Sequence, residues 1–574
     1  MDLTRSLLIG VIAVLSFMLL TEWVNFKEQQ LPPPVAPTSA ENSFESPVLA
    51  RADAPSSIPA DELPEPMADT MTPPQASEDI PVTTAAAPAA NPKAASRSIT
   101  AVTDVLSLRI DLTGGDITEV ALKDYPARLD NPDLPILLLE DNERRTYVAQ
   151  SGLIGPDGID KRSRARYRSS QNQYSLGSDD TLTIDLIAET DAQTAVTKRF
   201  ILRRGDYLVT VQYLIENRSD QRWQGNLFGQ IKRDSSQDPS SELASGMGMV
   251  PFLGSATTLP DERFAKFDFE DMAEKPLNQK VTGGWIAMIQ HYFLSAWIPD
   301  PALTHSYTTR VTSAGFNIAG FVSPAITVDP GATGSVEARF YAGPKDQYRL
   351  AEISEYLDLS VDYGWLWWIA QPLFWLLIKI FGFVGNWGVA IILLTVLIKA
   401  AFFQLSATSY RSMAKMRAVG PKIQALRERY PDDKQKQSTE MMNLYRKEKI
   451  NPLSGCLPIL VQMPVFIALY WVLMESVELR QAPFYGWIDD LSVMDPFFIL
   501  PLIMGASMWF QQKLAPPPPD PMQAKLMQWM PIVFTGFFLW FPAGLVLYWV
   551  TNNLLSIAQQ WFITRQIEKA AAAH

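Results

Sequence analysis

The apolar run 387–407 contains a lysine, Lys399, in its interior. The run is long enough to cross a bilayer as a helix, at about 1.5 Å per residue. A charge at the centre of a spanning helix costs about 2.5–3.5 kcal/mol, so it usually marks a functional site. No Asp, Glu or His occurs in the other apolar runs of this half of the chain, which are 453–474, 496–510, 530–541 and 545–563. We therefore expect water to reach Lys399 in a polar cavity within the membrane; the alternative is a side chain that snorkels to the nearer membrane face.

Stretch 365–384 is also apolar, but it contains Gln371-Pro372 and Lys379 and is rich in tryptophan. If both 365–384 and 387–407 crossed the membrane, segment 408–450 would lie outside. That segment has eleven Lys/Arg and five Asp/Glu, and loops rich in Lys and Arg favour the cytoplasm. We predict that 346–385 is a linker ending in an amphipathic helix at the outer membrane interface. The chain then has six spans and both termini in the cytoplasm.

The N-terminal residues predict an anchor followed by a tether. Residues 1–26 contain the apolar segment 3–24, with Arg5 on its N-terminal side; a cleaved signal peptide is the alternative, but no pair of small residues follows the apolar stretch. Residues 27–98 contain fourteen prolines between Pro32 and Pro92 and few residues that could form a core. We predict a disordered tether there.

Residues 99–345 change to a period-two pattern that predicts an all-β domain. Residues 105–112 alternate and end at Gly114-Gly115, and residues 195–202 and 207–216 alternate on either side of Arg204-Gly205-Asp206. Many such strands with Gly, Asp and Asn turns indicate an antiparallel sandwich. The single cysteine, Cys456, excludes an internal disulfide framework.

Segment 408–450 predicts a helical hairpin that divides at Gly420-Pro421 and again at Tyr430-Pro431-Asp432-Asp433. Apolar side chains lie on one face of each part: Ile423, Leu426 and Tyr430 on the first, Met441, Leu444 and Tyr445 on the second. Its basic residues include Arg411, Lys415, Arg417, Lys422, Arg427 and Arg429. The charge fits a solvated loop that sets topology, or a surface that meets ribosomal RNA or anionic headgroups.

Further polar side chains lie within the predicted spans. They are Thr395, Gln462, Asn552 and the pair Tyr548-Trp549. Thr395 precedes Lys399 by four residues and shares its helical face. Each polar residue alone fits helix packing, but together with an unpaired lysine they predict a hydrated groove.

The sequence favours a protein that is not an enzyme and uses no cofactor or metal. It has no phosphate-binding GxxxxGK[ST] loop, and its three histidines leave little for a metal site. One rival is a secondary transporter, but no internal repeat and no membrane-embedded acid or histidine supports it. The other is a sugar enzyme or lectin built on the sandwich.

The chain resembles the YidC-type membrane protein insertases, in the Oxa/Alb/YidC family, of the long Gram-negative form. The matching strings in the C-terminal part are Asn386-Trp387-Gly388, Ser412-Met413-Ala414-Lys415-Met416, Pro421-Lys422-Ile423-Gln424, Asn451-Pro452-Leu453, Gly455-Cys456, Gln462-Met463-Pro464, Val477-Glu478-Leu479-Arg480-Gln481-Ala482-Pro483-Phe484, Asp520-Pro521-Met522 and Phe541-Pro542. Those in the sandwich are Gly284-Trp285-Ile286-Ala287-Met288, Gln290-His291-Tyr292-Phe293 and Tyr341-Ala342-Gly343-Pro344-Lys345.

This resemblance implies a polytopic helical membrane protein with a periplasmic β-supersandwich. Segment 386–565 would be the five-span core, with a groove open to the cytoplasm and to lipid, and 566–574 a cytoplasmic tail. The implied function is insertion and chaperoning of integral membrane proteins in the bacterial inner membrane. The implied partners are nascent membrane proteins, the ribosome, membrane lipids and the Sec translocon with its SecD/SecF accessory proteins. Two positions depart from the family: Lys399 replaces the usual arginine, and Trp549 stands where relatives often carry tyrosine.

Overall fold

The structure is a computed structural model that describes residues 98–161, 163–190, 193–239, 251–431, 433–448, 457–514 and 521–572. The predicted anchor, 1–26, and all of the predicted tether except Ser98 lie outside the described residues. Two parts follow one another along the described chain. The first is built almost entirely of strands and the second of helices.

The described residues of the first part contain twenty strands. They are β1 (Ser98–Val102), β2 (Leu106–Asp111), β3 (Ile117–Arg128), β4 (Asn131–Asp141), β5 (Thr146–Ile154), β6 (Tyr167–Ser169), β7 (Gln173–Ser175), β8 (Thr181–Ala188), β9 (Thr194–Arg203), β10 (Leu208–Asn217), β11 (Trp223–Arg233), β12 (Gly254–Thr257), β13 (Ala265–Phe267), β14 (Asn278–Thr282), β15 (Ile286–Ile289), β16 (Phe293–Ile298), β17 (Thr304–Val311), β18 (Asn317–Val322), β19 (Ile326–Val328) and β20 (Thr333–Pro344). Eleven form one sheet in the order β14-β17-β18-β11-β5-β4-β3-β2-β1-β7, with β19 paired to β11. Nine form the other, in the order β13-β12-β15-β16-β20-β10-β9-β8-β6.

The two sheets share one apolar core, as the alternating pattern predicts. Along β10, Val209, Val211, Tyr213 and Ile215 are buried while the residues between them are at least partly exposed. These side chains join buried residues of the other sheet, such as Ile231, in a single cluster. The turn between β9 and β10 places Gly205 at φ +66°, a conformation that favours glycine. The all-β sandwich prediction is therefore confirmed.

One strand pairing differs from the predicted antiparallel arrangement. Strand β1 pairs with β7 in parallel, with Thr100 opposite Gln173. The other pairings between described strands are antiparallel, for example β9 with β10. The exception arises because β7 is a short edge strand that reaches β1 through a long connection instead of a hairpin.

Ten α-helices occur in the described residues. They are α1 (Phe269–Glu274), α2 (Gln347–Ile353), α3 (Trp367–Val384), α4 (Trp387–Ala401), α5 (Phe403–Arg429), α6 (Lys434–Lys447), α7 (Leu457–Glu475), α8 (Ile499–Leu514), α9 (Pro521–Phe538) and α10 (Ala543–Ala572). Helices α3, α4, α7, α8 and α10 contribute to one apolar core. Asn386 begins α4 by accepting a hydrogen bond from the amide of Val389 (3.0 Å), and Gly385 ends α3 at φ +64°.

The run 387–407 is not one straight helix, contrary to our prediction. It breaks at Phe402, and α4 meets the first part of α5 at a bend of 66°. Lys399 therefore lies in the last turn of α4, beside the carbonyl groups of the helix end, instead of mid-helix. A cation is favoured at that end because the helix dipole is negative there.

Among the described residues, one helix, Gly364–Val384, is long and apolar enough to cross a membrane. The bent pair made by α4 and α5 would be a second if it counts as one span, and Leu460–Glu475 is apolar but shorter. The six-span count therefore stays a prediction. So does the interfacial position of 365–384, where Trp365, Trp367, Trp368 and Trp375 are exposed.

Helices α5 and α6 form a hairpin whose first predicted break is wrong. Helix α5 continues through Gly420-Pro421 to Arg429, and only the second predicted break, which begins at Tyr430, is present. An interior proline removes a hydrogen bond, but packing of Val419 and Ile423 on both sides of Pro421 against α6 offsets that loss.

Candidate functional site

A polar cluster lies where helices α4, α7 and α10 approach one another. The amino group of Lys399 donates to the hydroxyl of Ser556 at 2.7 Å and to Gln462 Oε1 at 3.5 Å. Gln462 Nε2 donates to Asn552 Oδ1 at 2.7 Å, and the Ser556 hydroxyl donates to the Asn552 carbonyl at 2.7 Å. The cluster therefore links three helices through neutral hydrogen-bonding groups and one cation.

The Lys399 amino group has no carboxylate within 4.0 Å in the part of the chain that the structure describes. Lys399, Gln462 and Asn552 are half-buried, whereas Ser556 is 4% exposed. A half-buried ammonium with neutral acceptors keeps much of its attraction for a negative group, because no fixed counter-ion cancels its charge. The site is thus suited to transient contact with an acidic or polar group.

Two of the predicted groove residues use their polar or aromatic groups differently from Lys399. Thr395 is fully buried, and its hydroxyl donates to the Ile391 carbonyl of the preceding turn (2.7 Å). Trp549 packs edge-on against the ring of Phe466 (4.4 Å between centroids) and tilted against Phe538 (5.3 Å). The Thr395 contact lies within α4, whereas the two Trp549 contacts pack α10 against α7 and α9.

Tyr548 lies at the inner side of the cluster. It is 1% exposed, its ring stacks on Phe466 at 6.0 Å, and its hydroxyl lies beside Gln462. The structure thus brings together Lys399, Gln462, Asn552 and Tyr548 from the predicted set.

Two cluster residues escaped the sequence analysis. Ser556 contacts Lys399 directly, and Tyr410 of α5 lies beside Ser556. Ser556 follows Asn552 by four residues and therefore shares its helical face, which is the signal that could have identified it.

A neighbouring buried contact joins Asn553 Nδ2 to Ser507 Oγ at 3.0 Å and links α10 to α8.

Apolar side chains are exposed on α7 and α9. They are Leu460, Val461 and Met463 on α7 and Leu526, Trp529, Met530, Ile532, Val533 and Phe537 on α9. Monomeric soluble proteins rarely expose so many large apolar groups on two helices. These surfaces are therefore suited to contact lipid or an apolar peptide segment.

The basic residues of the hairpin lie mostly on its surface. Arg411, Lys415, Lys422 and Arg429 are exposed and Arg427 is half-buried; the Arg417 side chain lies outside the described residues. Lys422 forms an ion pair with Glu448 of 2.7 Å across the hairpin.

Among the described residues no group of three His, Cys, Asp or Glu could hold a metal ion.

Two family models match the chain. The model described as YidC periplasmic domain matches residues 98–376, and the model described as 60Kd inner membrane protein matches residues 379–570.

A protein of Stutzerimonas stutzeri called Membrane protein insertase YidC is 52% identical over 579 residues and covers 100% of both chains. The protein of the same name from Pseudomonas aeruginosa is 49% identical over 603 residues, also 100% of both. A crystal structure described as an active YidC insertase with the first transmembrane domain resolved shares 17% identity, covers 81% of this chain and 92% of that one, and gives a TM-score of 0.37.

Proposed function

The chain belongs to the YidC family of membrane protein insertases, and we propose that the cluster around Lys399 is the site at which it receives its substrates. The protein inserts membrane proteins and is not an enzyme. Its substrates are nascent integral membrane proteins. It belongs to the inner membrane and carries a periplasmic β-sandwich.

The observation that carries the proposal is the set of neutral partners around the Lys399 amino group. A substrate segment that crosses the membrane brings polar flanking residues, and each unsatisfied polar group costs several kcal/mol in hydrocarbon. Gln462, Asn552 and Ser556 offer hydrogen bonds in place of bulk water. Lys399 adds Coulomb attraction for acidic flanks.

The apolar part of the substrate passes along α7 and α9, the predicted third and fifth spans. Their exposed leucine, valine, isoleucine and aromatic side chains support this path. Transfer of the substrate's apolar segment from water to lipid provides the driving force, so no nucleotide is needed.

We further propose six spans with both termini in the cytoplasm, the sandwich outside and the α5–α6 hairpin inside. The domain boundaries are those predicted: anchor 1–26, tether 27–98, sandwich 99–345, linker and interfacial helix 346–385, core 386–565 and tail 566–574. The exposed basic residues of the hairpin suit the ribosome or anionic lipid headgroups. The Sec translocon with SecD/SecF is the other proposed partner.

Site-specific photo-crosslinking tests the groove. A photoreactive residue at Gln462 or Asn552 should crosslink to the polar flank of a stalled nascent membrane protein. The matched control is Trp561, an exposed residue of α10 that lies outside the cluster and should give no such product. Equal crosslinking from Trp561 and from the two groove positions would contradict the proposal.

A further inference from the structure

A buried ion pair joins the sandwich to the end of helix α7. Lys345, which directly follows β20, places its amino group 2.6 Å from Glu475 Oε2, and the two side chains are only 3% and 5% exposed. Glu475 is the last residue of α7. An acid at a helix C-terminus is unfavourable with the helix dipole, and Lys345 compensates for this.

Four further contacts hold the same end of α7 to the sandwich. His291 Nε2 donates to the Met474 carbonyl at 2.9 Å, and burial lowers the pKa of His291. Val477 is buried within the apolar core of the sandwich. Beyond it, Arg480 Nη2 and Gln481 Nε2 both donate to the Pro126 carbonyl, at 2.8 Å and 3.1 Å.

Helix α7 carries a groove residue at a distance from this anchored end. Gln462 precedes Glu475 by thirteen residues, which is about 20 Å along a helix. The helix is continuous over that length, with Pro464 two residues after Gln462. A change in the tilt of α7 at Glu475 therefore moves Gln462 relative to Asn552 of α10.

We propose, on the basis of the function proposed above, that Lys345 and Glu475 form a clasp through which the sandwich positions α7, and with it Gln462, in the groove. Both residues are positioning residues, since neither lies in the groove. The clasp gives the periplasmic domain a direct role in the geometry of the insertion site.

The test measures the position of Gln462 directly and needs no substrate. Full-length protein in lipid vesicles, in a Cys456→Ser background, carries Gln462→Cys and Asn552→Cys, and a short bifunctional thiol reagent reports their proximity. Lys345→Met should lower the crosslinking yield at least about threefold, because it leaves Glu475 buried without a partner. Glu475→Gln, a milder change of the same shape, should lower it less, and Lys345→Arg should retain it because the charge is kept.

Two controls separate positioning from loss of fold. The pair Ser507→Cys and Asn553→Cys lies within the bundle and should crosslink equally in every variant. Lys266→Met removes one partner of an exposed pair, Lys266–Asp362 (2.7 Å; 40% and 32% exposed), and should leave the 462–552 yield unchanged.

An unchanged 462–552 yield in both Lys345→Met and Glu475→Gln would overturn the clasp. An equal fall in the 507–553 yield of these variants would also overturn the clasp. The same fall in the 462–552 yield of Lys266→Met would overturn it as well. Because no substrate is present, the clasp can fail while the proposed groove holds, and the groove can fail in the photo-crosslinking test while the clasp holds.

Discussion

The Lys399 amino group lies 2.7 Å from the hydroxyl of Ser556, and that hydroxyl donates its hydrogen bond to the Asn552 carbonyl. Ser556 is therefore oriented as an acceptor toward the cation. A neutral acceptor compensates the burial of an ammonium less fully than a carboxylate does. The site thus holds its charge in place without neutralising it, which is what a transient substrate contact requires.

Close packing of α8 on α9 predicts that Gly505→Ala is destabilising. A β-carbon at Gly505 would overlap the Thr535 hydroxyl. We expect a loss of about 1–3 kcal/mol in the free energy of unfolding. The matched control is Gly536→Ala on α9, where a β-carbon meets no neighbour, so the change should be neutral or stabilising. Thermal unfolding of the protein in detergent measures both, and an equal effect of the two changes would contradict the packing argument.

The sandwich contains a buried guanidinium whose loss should be costly. Arg164 is 3% exposed and pairs with Asp116 and with Asp160 (2.9 Å). Arg164→Met leaves two buried carboxylates without the cation that pairs with them and should lower stability by about 3–5 kcal/mol. Arg168→Met, which breaks the exposed Arg168–Glu189 pair, should cost less than about 1 kcal/mol. Unfolding followed by tryptophan fluorescence distinguishes the two variants. A small loss of stability for Arg164→Met would contradict the conclusion that its two buried ion pairs stabilise the sandwich.

Glu478, in the loop after α7, should make the fold less stable at alkaline pH. Burial, helped by the nearby Asp346, raises the pKa of Glu478 from 4.5 to about 7. The folded state therefore binds the proton more tightly than the unfolded state, so stability falls as pH rises from about 4.5 through about 7. Glu478→Gln keeps the neutral form and should melt at a higher temperature than wild type at pH 8, by an amount equivalent to at most about 3 kcal/mol. The melting temperatures of Glu478→Gln and wild type should differ less at pH 5. A difference that stays the same at both pH values would exclude Glu478 as the titrating group.

The sandwich was the most predictable part because period-two alternation reports burial directly, as in Val209, Val211 and Tyr213. The proximity of Lys399, Gln462 and Asn552 was also predictable, since polar groups in apolar runs need partners. The bend at Phe402 was not, because the residues on both sides are apolar and no glycine or proline marks it. The Lys345–Glu475 pair was missed because 130 residues separate its partners and only the tertiary fold brings them together.

Cysteine labelling tests the predicted topology and the interfacial position of α3. In a Cys456→Ser background, a membrane-impermeant thiol reagent added outside should label Asp180→Cys in the sandwich and Phe383→Cys at the end of α3. Both positions are exposed. Gln435→Cys in α6 should react only after permeabilisation, because a hairpin rich in Lys and Arg stays in the cytoplasm. Labelling of Gln435→Cys from outside would show that α3 crosses the membrane and would reverse the topology.

The charge of Lys399 should matter in proportion to the acidity of the substrate flank. Lys399→Arg keeps the charge and should keep insertion, whereas Lys399→Glu should impair substrates with acidic flanks most. Lys399→Met and Lys399→Ala should both reduce insertion of acidic substrates by about fivefold per acidic residue, equivalent to about 1 kcal/mol, because water in the groove weakens each Coulomb pair.

Insertion rates of one reporter with zero to three acidic flanking residues measure this dependence. Comparing the methionine and alanine variants separates charge from side-chain volume, since both lack the charge and only alanine leaves a void. Lys379→Met, which removes a lysine of α3 lying beside Trp375 (6.0 Å), should show no dependence on flank charge. An equal defect at every flank charge in the Lys399 variants would instead make Lys399 a snorkelling structural residue, because only a groove cation distinguishes acidic flanks from neutral ones.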